Sequence, residues 1–318
     1  MNIKPIKPLI DSYGRRIRKL RVSLLDACNF RCVYCMPLDP VFMDSSRWLR
    51  PQEIERVCSA LVDFGLEQIR LTGGEPTLRD DFRDIVLRLS SLPLDKLGLT
   101  TNGWNLTKEL DFLSDTNCRH INISLDSLTK EIFTRITRRD YFDKVLDSIL
   151  SAKRLGFHVK INTVLMKGIN DHEIFDFIRF SAEHEVEIRF LELMSIGQAN
   201  GYKDKLFVPA SDIIQMISST EELTGEESEC DSTSFNFKTS SGASIGFIAS
   251  ETLPFCGNCS RWRLSADGFL RACLMSENGI YIRDVEPEDY KAKLNELLMM
   301  KPYRKIERIE QDMYKIGG

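Results

Sequence analysis

The chain has no apolar run approaching the ~20 consecutive residues needed to cross a bilayer, so a helical membrane span is excluded. Residues 1–10 carry lysines but no apolar core and no small-residue cleavage pattern. Export is therefore not expected, and the cytoplasm is the predicted compartment. A surplus of positive charge is missing as well. With 43 Lys and Arg against 47 Asp and Glu, the net charge is −4, which argues against a general affinity for nucleic acid and leaves room for one local anion site. No internal repeat and no low-complexity tract is found, and 42% hydrophobic with 28% charged residues is a globular composition, not a disordered one. Histidine is scarce, at four residues, so any metal must look mainly to sulfur and carboxylate.

What is present is cysteine. Nine cysteines in a chain expected to meet reducing conditions read as metal ligands or catalytic thiols before disulfides. Six of them form two tight groups: Cys28, Cys32 and Cys35, then Cys256, Cys259 and Cys273. Cys58 and Cys118 read as buried thiols, and Cys230 lies in a polar stretch from which it could at most be recruited as a fourth ligand.

At 318 residues the chain has room for one large domain and a smaller appendage. From residue 20 to about 192, short β-branched or apolar runs alternate with amphipathic stretches, the rhythm of βα units. Strands are expected at 20–26, 68–72, 96–101, 120–125, 159–165 and 187–193. Helices are expected at 51–64, 80–92, 106–113, 130–136, 143–155 and 172–185. Six parallel strands suit an open or partly closed β/α barrel, in which chemistry gathers where strands end. After Gly197 the rhythm changes. Residues 218–244 read as a linker or loop excursion with only a short strand candidate at 235–237, 246–274 as a second unit bearing the second cysteine group, and 287–301 as a helix. The expected division is residues 1–200 for the barrel and 201–318 for the extension.

Cys28, Cys32 and Cys35 follow the first expected strand. Three soft thiolates within eight residues can take three corners of an iron-sulfur cubane, or part of a zinc site. A structural zinc site closes at four ligands and no fourth is local. In the second group, Cys256, Cys259 and Cys273 again lack a partner, and no Cys or His follows Cys273. Arg261 and Arg263 stand two apart beside it, so in an extended stretch both face one side, where guanidinium groups suit an anion such as phosphate.

The spacing of three and then two residues, with Tyr34 before the last cysteine, resembles the signature of the radical S-adenosylmethionine (SAM) enzymes. In that superfamily three cysteines hold a 4Fe-4S cluster, SAM chelates the fourth iron, and one electron cleaves SAM to a 5′-deoxyadenosyl radical. Gly73-Gly74-Glu75-Pro76 resembles the loop that meets the SAM amino group, although Gly and Pro serve turns everywhere. Ser124 resembles a SAM contact, while Ser124, Asp126 and Ser127 also suit a helix N-cap.

Nearly end to end, the chain resembles the GTP 3′,8-cyclases of molybdenum cofactor biosynthesis, the MoaA family. The likeness covers Asp11 to Arg15, both cysteine groups, Leu71 to Pro76, Thr100 to Gly103, Asn122 to Leu128, Lys160 to Asn162, Ile188 to Met194 and the terminal Ile316-Gly317-Gly318. The resemblance implies an α/β fold, a partial (β/α)6 radical-SAM barrel with a smaller C-terminal α+β extension carrying a second 4Fe-4S cluster. It implies conversion of GTP to 3′,8-cyclo-7,8-dihydro-GTP, opened by abstraction of the ribose 3′ hydrogen. It implies SAM contacts at Tyr34, Gly74, Ser124 and Met194, and GTP contacts at Arg21, Arg70, Thr101, Lys160, Arg261 and Arg263. Arg261, Arg263, Gly317 and Gly318 are the catalytic candidates, since the family's tail reaches into the site. A reductant protein, a downstream cyclic pyranopterin monophosphate synthase and a homodimer are implied as partners. The alternatives are a radical SAM enzyme acting on another nucleotide or a peptide, and a zinc-bound scaffold. Three positions depart from the family pattern: Leu25 stands where Thr is usual, Ala27 where Arg is common, and Gln68 where a Lys commonly lies near the triphosphate.

Overall fold

The computed structural model describes residues 8–317. Six strands, β1 (Lys19–Ser23), β2 (Gln68–Thr72), β3 (Lys96–Thr101), β4 (His120–Ser124), β5 (His158–Val164) and β6 (Glu187–Leu191), pair in parallel in chain order. Between them run α1 (Pro51–Asp63), α2 (Phe82–Ser90), α3 (Leu110–Ser114), α4 (Lys130–Thr137), α5 (Phe142–Arg154) and α6 (Ile174–His184). Every expected strand and helix of this half is present, with ends shifted by a few residues. The one expected at 106–113 is broken into a 3-10 turn, Leu106–Lys108, and the short α3.

The helices form where apolar residues recur at helical spacing. On α1, for example, Ile54, Val57, Cys58 and Leu61 are buried, Pro51 opens the first turn, and the Glu53 carboxylate accepts the Arg50 backbone N–H at 2.7 Å. These stripes pack on the outward face of the sheet, where Leu20, Val22, Ile69, Leu71, Ile121, Ile161, Ile188 and Phe190 form one continuous core. The inward face differs. Residues alternating with that core are Lys19, Arg21, Gln68, Arg70, Asn122, Lys160 and Arg189, so the concave side is polar in a fold whose strands are usually apolar on both faces.

The extension lengthens the same sheet at both edges. β7 (Leu223–Glu226), β8 (Phe235–Thr239) and β9 (Ser244–Ile248) form a meander whose last strand pairs parallel with β6. β10 (Arg261–Leu264) pairs parallel with β1, followed by antiparallel β11 (Phe269–Arg271) and β12 (Gly279–Tyr281). The twelve-stranded sheet runs from β12 to β7 and does not close. Reading residues 218–244 as a linker is thereby corrected. The segment holds two strands where only a short one at 235–237 is expected: β7 is hidden by its short, polar sequence, while Phe235 and Phe237 of β8 pack on Phe247 of β9. The tail helix spans Tyr290–Met299, shorter than the 287–301 expected.

Candidate active site

After β1 the chain enters the loop of Cys28, Cys32 and Cys35, each partly exposed and none in a disulfide. The Phe30 backbone N–H donates to Cys28 Sγ at 3.4 Å, Asn102 Nδ2 approaches the same sulfur at 3.7 Å, and the Cys35 N–H donates to the Cys32 carbonyl at 3.0 Å. Burial pushes the Cys28 thiol up to about 12 and raises Cys32 and Cys35 as well, with Glu75, Asp126 and the neighbouring thiols adding to the rise. Such thiols become ligands when a metal displaces their protons. Among the described residues no three Cys, His, Asp or Glu side chains are grouped so as to hold one metal ion. A zinc site needs its ligands to converge on one point at ~2.0–2.3 Å. A cubane instead gives each thiolate its own iron. Three neighbouring thiols with no fourth fit that demand.

The Gly73-Gly74-Glu75 loop lies directly on this loop's backbone. Gly74 N–H donates to the Leu25 carbonyl at 2.7 Å and Glu75 N–H to the Ala27 carbonyl at 2.9 Å. A Cβ on Gly74 would stand 2.1 Å from the Ala27 oxygen, so only glycine permits the approach. The Glu75 carboxylate is fully buried and accepts from the Thr77 N–H and hydroxyl, the Thr101 hydroxyl and the Asn102 N–H at 2.6 to 3.1 Å. It joins the ends of β2 and β3 and, through Asn102, supports Cys28.

Tyr34 and Met194 meet in a small cavity of about 60 Å³ with Val164, Leu191, Ile248 and Ser250. The Tyr34 hydroxyl donates to Asp126 Oδ2 at 2.7 Å, and the Val164 N–H to Asp126 Oδ1 at 2.8 Å. Asp126 is therefore no helix cap. Burial pushes its carboxyl up to about 6 despite both donors. Ser127 turns its hydroxyl to the Thr129 backbone, and the half-buried Ser124 ends β4 beside Asn162.

The concave face encloses a second cavity of about 250 Å³. Lys19, Arg21, Arg70, Lys96, Lys160, Arg189 and Arg261 line it, against the carboxylates of Glu227 and Glu229. Burial and the like charges of Arg263, Arg70, Arg261 and Arg189 push the Arg21 guanidinium well down, and burial lowers Arg70 to about 10. Lys160 and Arg189 both bond Glu187 at 2.6 Å, whereas Lys19 reaches across to Glu229 at 2.7 Å and Asp231 at 2.6 Å. The seven cations outnumber the carboxylates around them, which makes the cavity a receptor for a polyanion. Of the expected GTP contacts, Arg21, Arg70, Lys160 and Arg261 line it. Arg263 and Thr101 do not: Arg263 donates to the Gly317 carbonyl, and Thr101 is buried at the end of β3 with its hydroxyl on Glu75. Lys19, Lys96 and Arg189 were not singled out from sequence, although the charged member of each alternating strand was the available signal.

At the opposite end of the strands from the first group, Cys256 lies in a 3-10 turn, Cys259 precedes β10, which pairs with β1, and Cys273 follows β11. Burial alone would raise the Cys259 thiol, but the cations of Arg261 and Lys301 hold it down at about 7. Arg261 and Arg263 do share a face, with Trp262 buried between them, and register sets Arg261 beside Lys19 and Arg263 beside Arg21. Arg263 Nη1 donates to the Gly317 carbonyl at 2.5 Å, which ties the tail to β10. Gly317 has φ +78°, and a Cβ there would meet Ser23 Cβ at 2.6 Å. Gly318 lies outside the described residues. Arg15, from the N-terminal motif, bonds Asp11 at 2.6 Å and donates to the carbonyls of Cys256, Pro302 and Lys301.

Comparison with known proteins accords with this arrangement. Residues 22–181 match the radical SAM superfamily, and residues 186–310 match the family described as Molybdenum Cofactor Synthesis C. A GTP 3′,8-cyclase of Synechocystis sp. is 48% identical over 98% of this chain and 95% of its own length. One from Aquifex aeolicus is 37% identical over 98% of this chain and all of its own. The crystal structure of Streptococcus suis SuiB bound to S-adenosylmethionine shares the fold at a TM-score of 0.68, covering 90% of this chain and 69% of that one at 14% identity. Two cysteine trios lie at opposite ends of the strands that frame a cationic cavity, and relatives matched over nearly their full length share the sequence: the chain belongs to the GTP 3′,8-cyclase family of the radical SAM superfamily.

Proposed function

We propose that this chain converts GTP to 3′,8-cyclo-7,8-dihydro-GTP, the first step of molybdenum cofactor biosynthesis. The observation that carries the reading is the cationic cavity, whose Arg21 and Arg261 sit on strands that lead to the two cysteine groups. Cys28, Cys32 and Cys35 would hold one 4Fe-4S cluster and Cys256, Cys259 and Cys273 a second. When bound, the first cluster supplies the electron that cleaves SAM. Tyr34, Gly74, Ser124 and Met194 hold SAM, with Met194 and Tyr34 as the walls of its apolar slot.

Arg21, Arg70 and Lys160 hold the triphosphate by charge-assisted hydrogen bonds, joined by Lys19, Lys96 and Arg189. That grip fixes the ribose in orientation, and orientation is what allows one hydrogen, at C3′, to be removed. Arg261 and Arg263 contact the nucleotide beside the second cysteine group, with Gly317 at that end excluding water. Thr101 is a GTP contact only if its hydroxyl leaves Glu75. The enzyme would work in the cytoplasm, draw electrons from a reductant protein, hand its product to a cyclic pyranopterin monophosphate synthase, and pair as a homodimer.

Anaerobic incubation with GTP, SAM and a reductant tests the reading. The expected product is 3′,8-cyclo-7,8-dihydro-GTP with 5′-deoxyadenosine, from protein holding about eight irons per chain. Zinc in place of iron, or turnover of another nucleotide in preference to GTP, would overturn it. Arg261→Ala should still cleave SAM while losing GTP conversion.

A further inference from the structure

Lys301 is among the most buried charged residues of the chain, at 4% exposure. An ammonium has three N–H donors, and here all three are engaged: Cys259 Sγ at 3.4 Å, the Arg261 carbonyl at 2.8 Å and the Ala272 carbonyl at 3.0 Å. None of these acceptors is a carboxylate. The charges that act on Lys301 are the thiols of Cys259 and Cys273, which attract it, and Arg15, which repels it. A buried cation without an anion is costly, so its place in the fold calls for a negative group at the cysteines.

The contacts also have a mechanical sense. Arg261 opens β10 two residues after Cys259, and Ala272 precedes Cys273, so one ammonium ties together both backbones that carry these ligands. Arg15 fixes the third. It donates to the Cys256 carbonyl at 2.6 Å and to the Lys301 and Pro302 carbonyls at 3.2 and 2.9 Å, and its own charge is met by Asp11. Of Arg15 and Lys301, Arg15 has its carboxylate in Asp11, and Lys301 has none among the described residues.

We propose that Lys301 is the positioning residue and resident countercharge of the second cysteine site: it sets the spacing of Cys259 and Cys273 and raises the reduction potential of the cluster they hold. The inference rests on the reading of Cys256, Cys259 and Cys273 as cluster ligands. A positive charge and an N–H donated to a ligand sulfur both favour the reduced, more negative cluster, which gives the sign.

The test uses the full chain, reconstituted anaerobically, with iron and acid-labile sulfide counted and the second cluster titrated reductively by electron paramagnetic resonance in a background where Cys28, Cys32 and Cys35 are alanine. Lys301→Gln keeps N–H donors and removes the charge; it should hold its iron and titrate at a more negative potential. Lys301→Met removes both and should lose at least about half of the second site's iron; the same substitution made in the chain that keeps Cys28, Cys32 and Cys35 should retain SAM cleavage at the first site, as evidence of folding. Lys301→Arg should bring the potential back toward the parent value. If Lys301→Gln titrates with the parent protein, the countercharge role is overturned; if Lys301→Met also keeps all its iron, the positioning role falls too. Should Lys301→Met fail to fold, the Gln and Arg variants decide. A parent protein whose iron is unchanged by removing Cys256, Cys259 and Cys273 would instead overturn the cluster reading itself.

Discussion

Gly317 shows how much a single missing Cβ can matter. Its φ of +78° lies where L side chains are strained, and the space a methyl would need is taken by Ser23. Gly317→Ala should push the tail away from Arg263 and reduce GTP turnover several-fold while shifting stability by about 1 kcal/mol, the cost of one strained backbone position. Ser23→Gly in the same chain removes the clash but not the strain, so product formation should recover in part. Equal turnover in Gly317→Ala and the parent would remove the tail from the site. Asp126 makes a pH prediction. Its folded carboxyl titrates near 6, above the ~3.8 of an unfolded Asp, so the stability of its protonated form is present below about 4 and lost as pH rises through about 6. Asp126→Asn should therefore be more stable than the parent at pH 7.5, by up to about 3 kcal/mol, with the gap closing as pH falls from 7 to 5 in thermal melts. From sequence, Tyr34 and the six cysteines were legible because their spacing is chemical. Asp126 suits a helix cap equally well on sequence, since the partner that defines it, Tyr34, is 92 residues away.

At the scale of elements, the strands were legible and the reason for their composition was not. KLRVS, QIRLT and EIRFL alternate charge with apolar residues. In a parallel sheet, whose two faces are usually both apolar, alternation signals a polar interior, and that rule would have found Lys19 and Arg189. Gln68, where the family commonly has Lys, is flanked in register by Lys19 on β1 and Lys96 on β3, so the positive charge at that level comes from its neighbours. The β7–β8 connection was illegible because its contacts are electrostatic and distant. It brings Glu227 and Glu229 to the cavity, with Glu229 on Lys19. A triphosphate must displace that carboxylate to reach Lys19. Changing both Glu227 and Glu229 to Gln should thus lower the KM for GTP two- to five-fold, most clearly at low salt, with kcat little changed. An unchanged or higher KM would mean that the loop does not oppose the substrate.

For the whole molecule, the concave face sets binding against stability. Arg21 is half-buried, feels the like charges of Arg263, Arg70, Arg261 and Arg189, and no carboxylate pairs with it among the described residues. Such a group costs free energy in the empty protein and regains it when an anion arrives, so the site is held open by charges that repel one another. Arg21→Met, similar in length and apolar, should make the ligand-free protein more stable, raising Tm by about 2–4 °C for each kcal/mol of repulsion relieved. The same change should weaken GTP binding at least tenfold and shrink the rise in Tm that saturating GTP produces. The paired measurement separates this account from simple loss of a structural residue, which would lower Tm with and without nucleotide. A variant less stable in both conditions would show that Arg21 supports the sheet; one that melts higher when empty and gains less from GTP would show that the repulsion is maintained for the substrate.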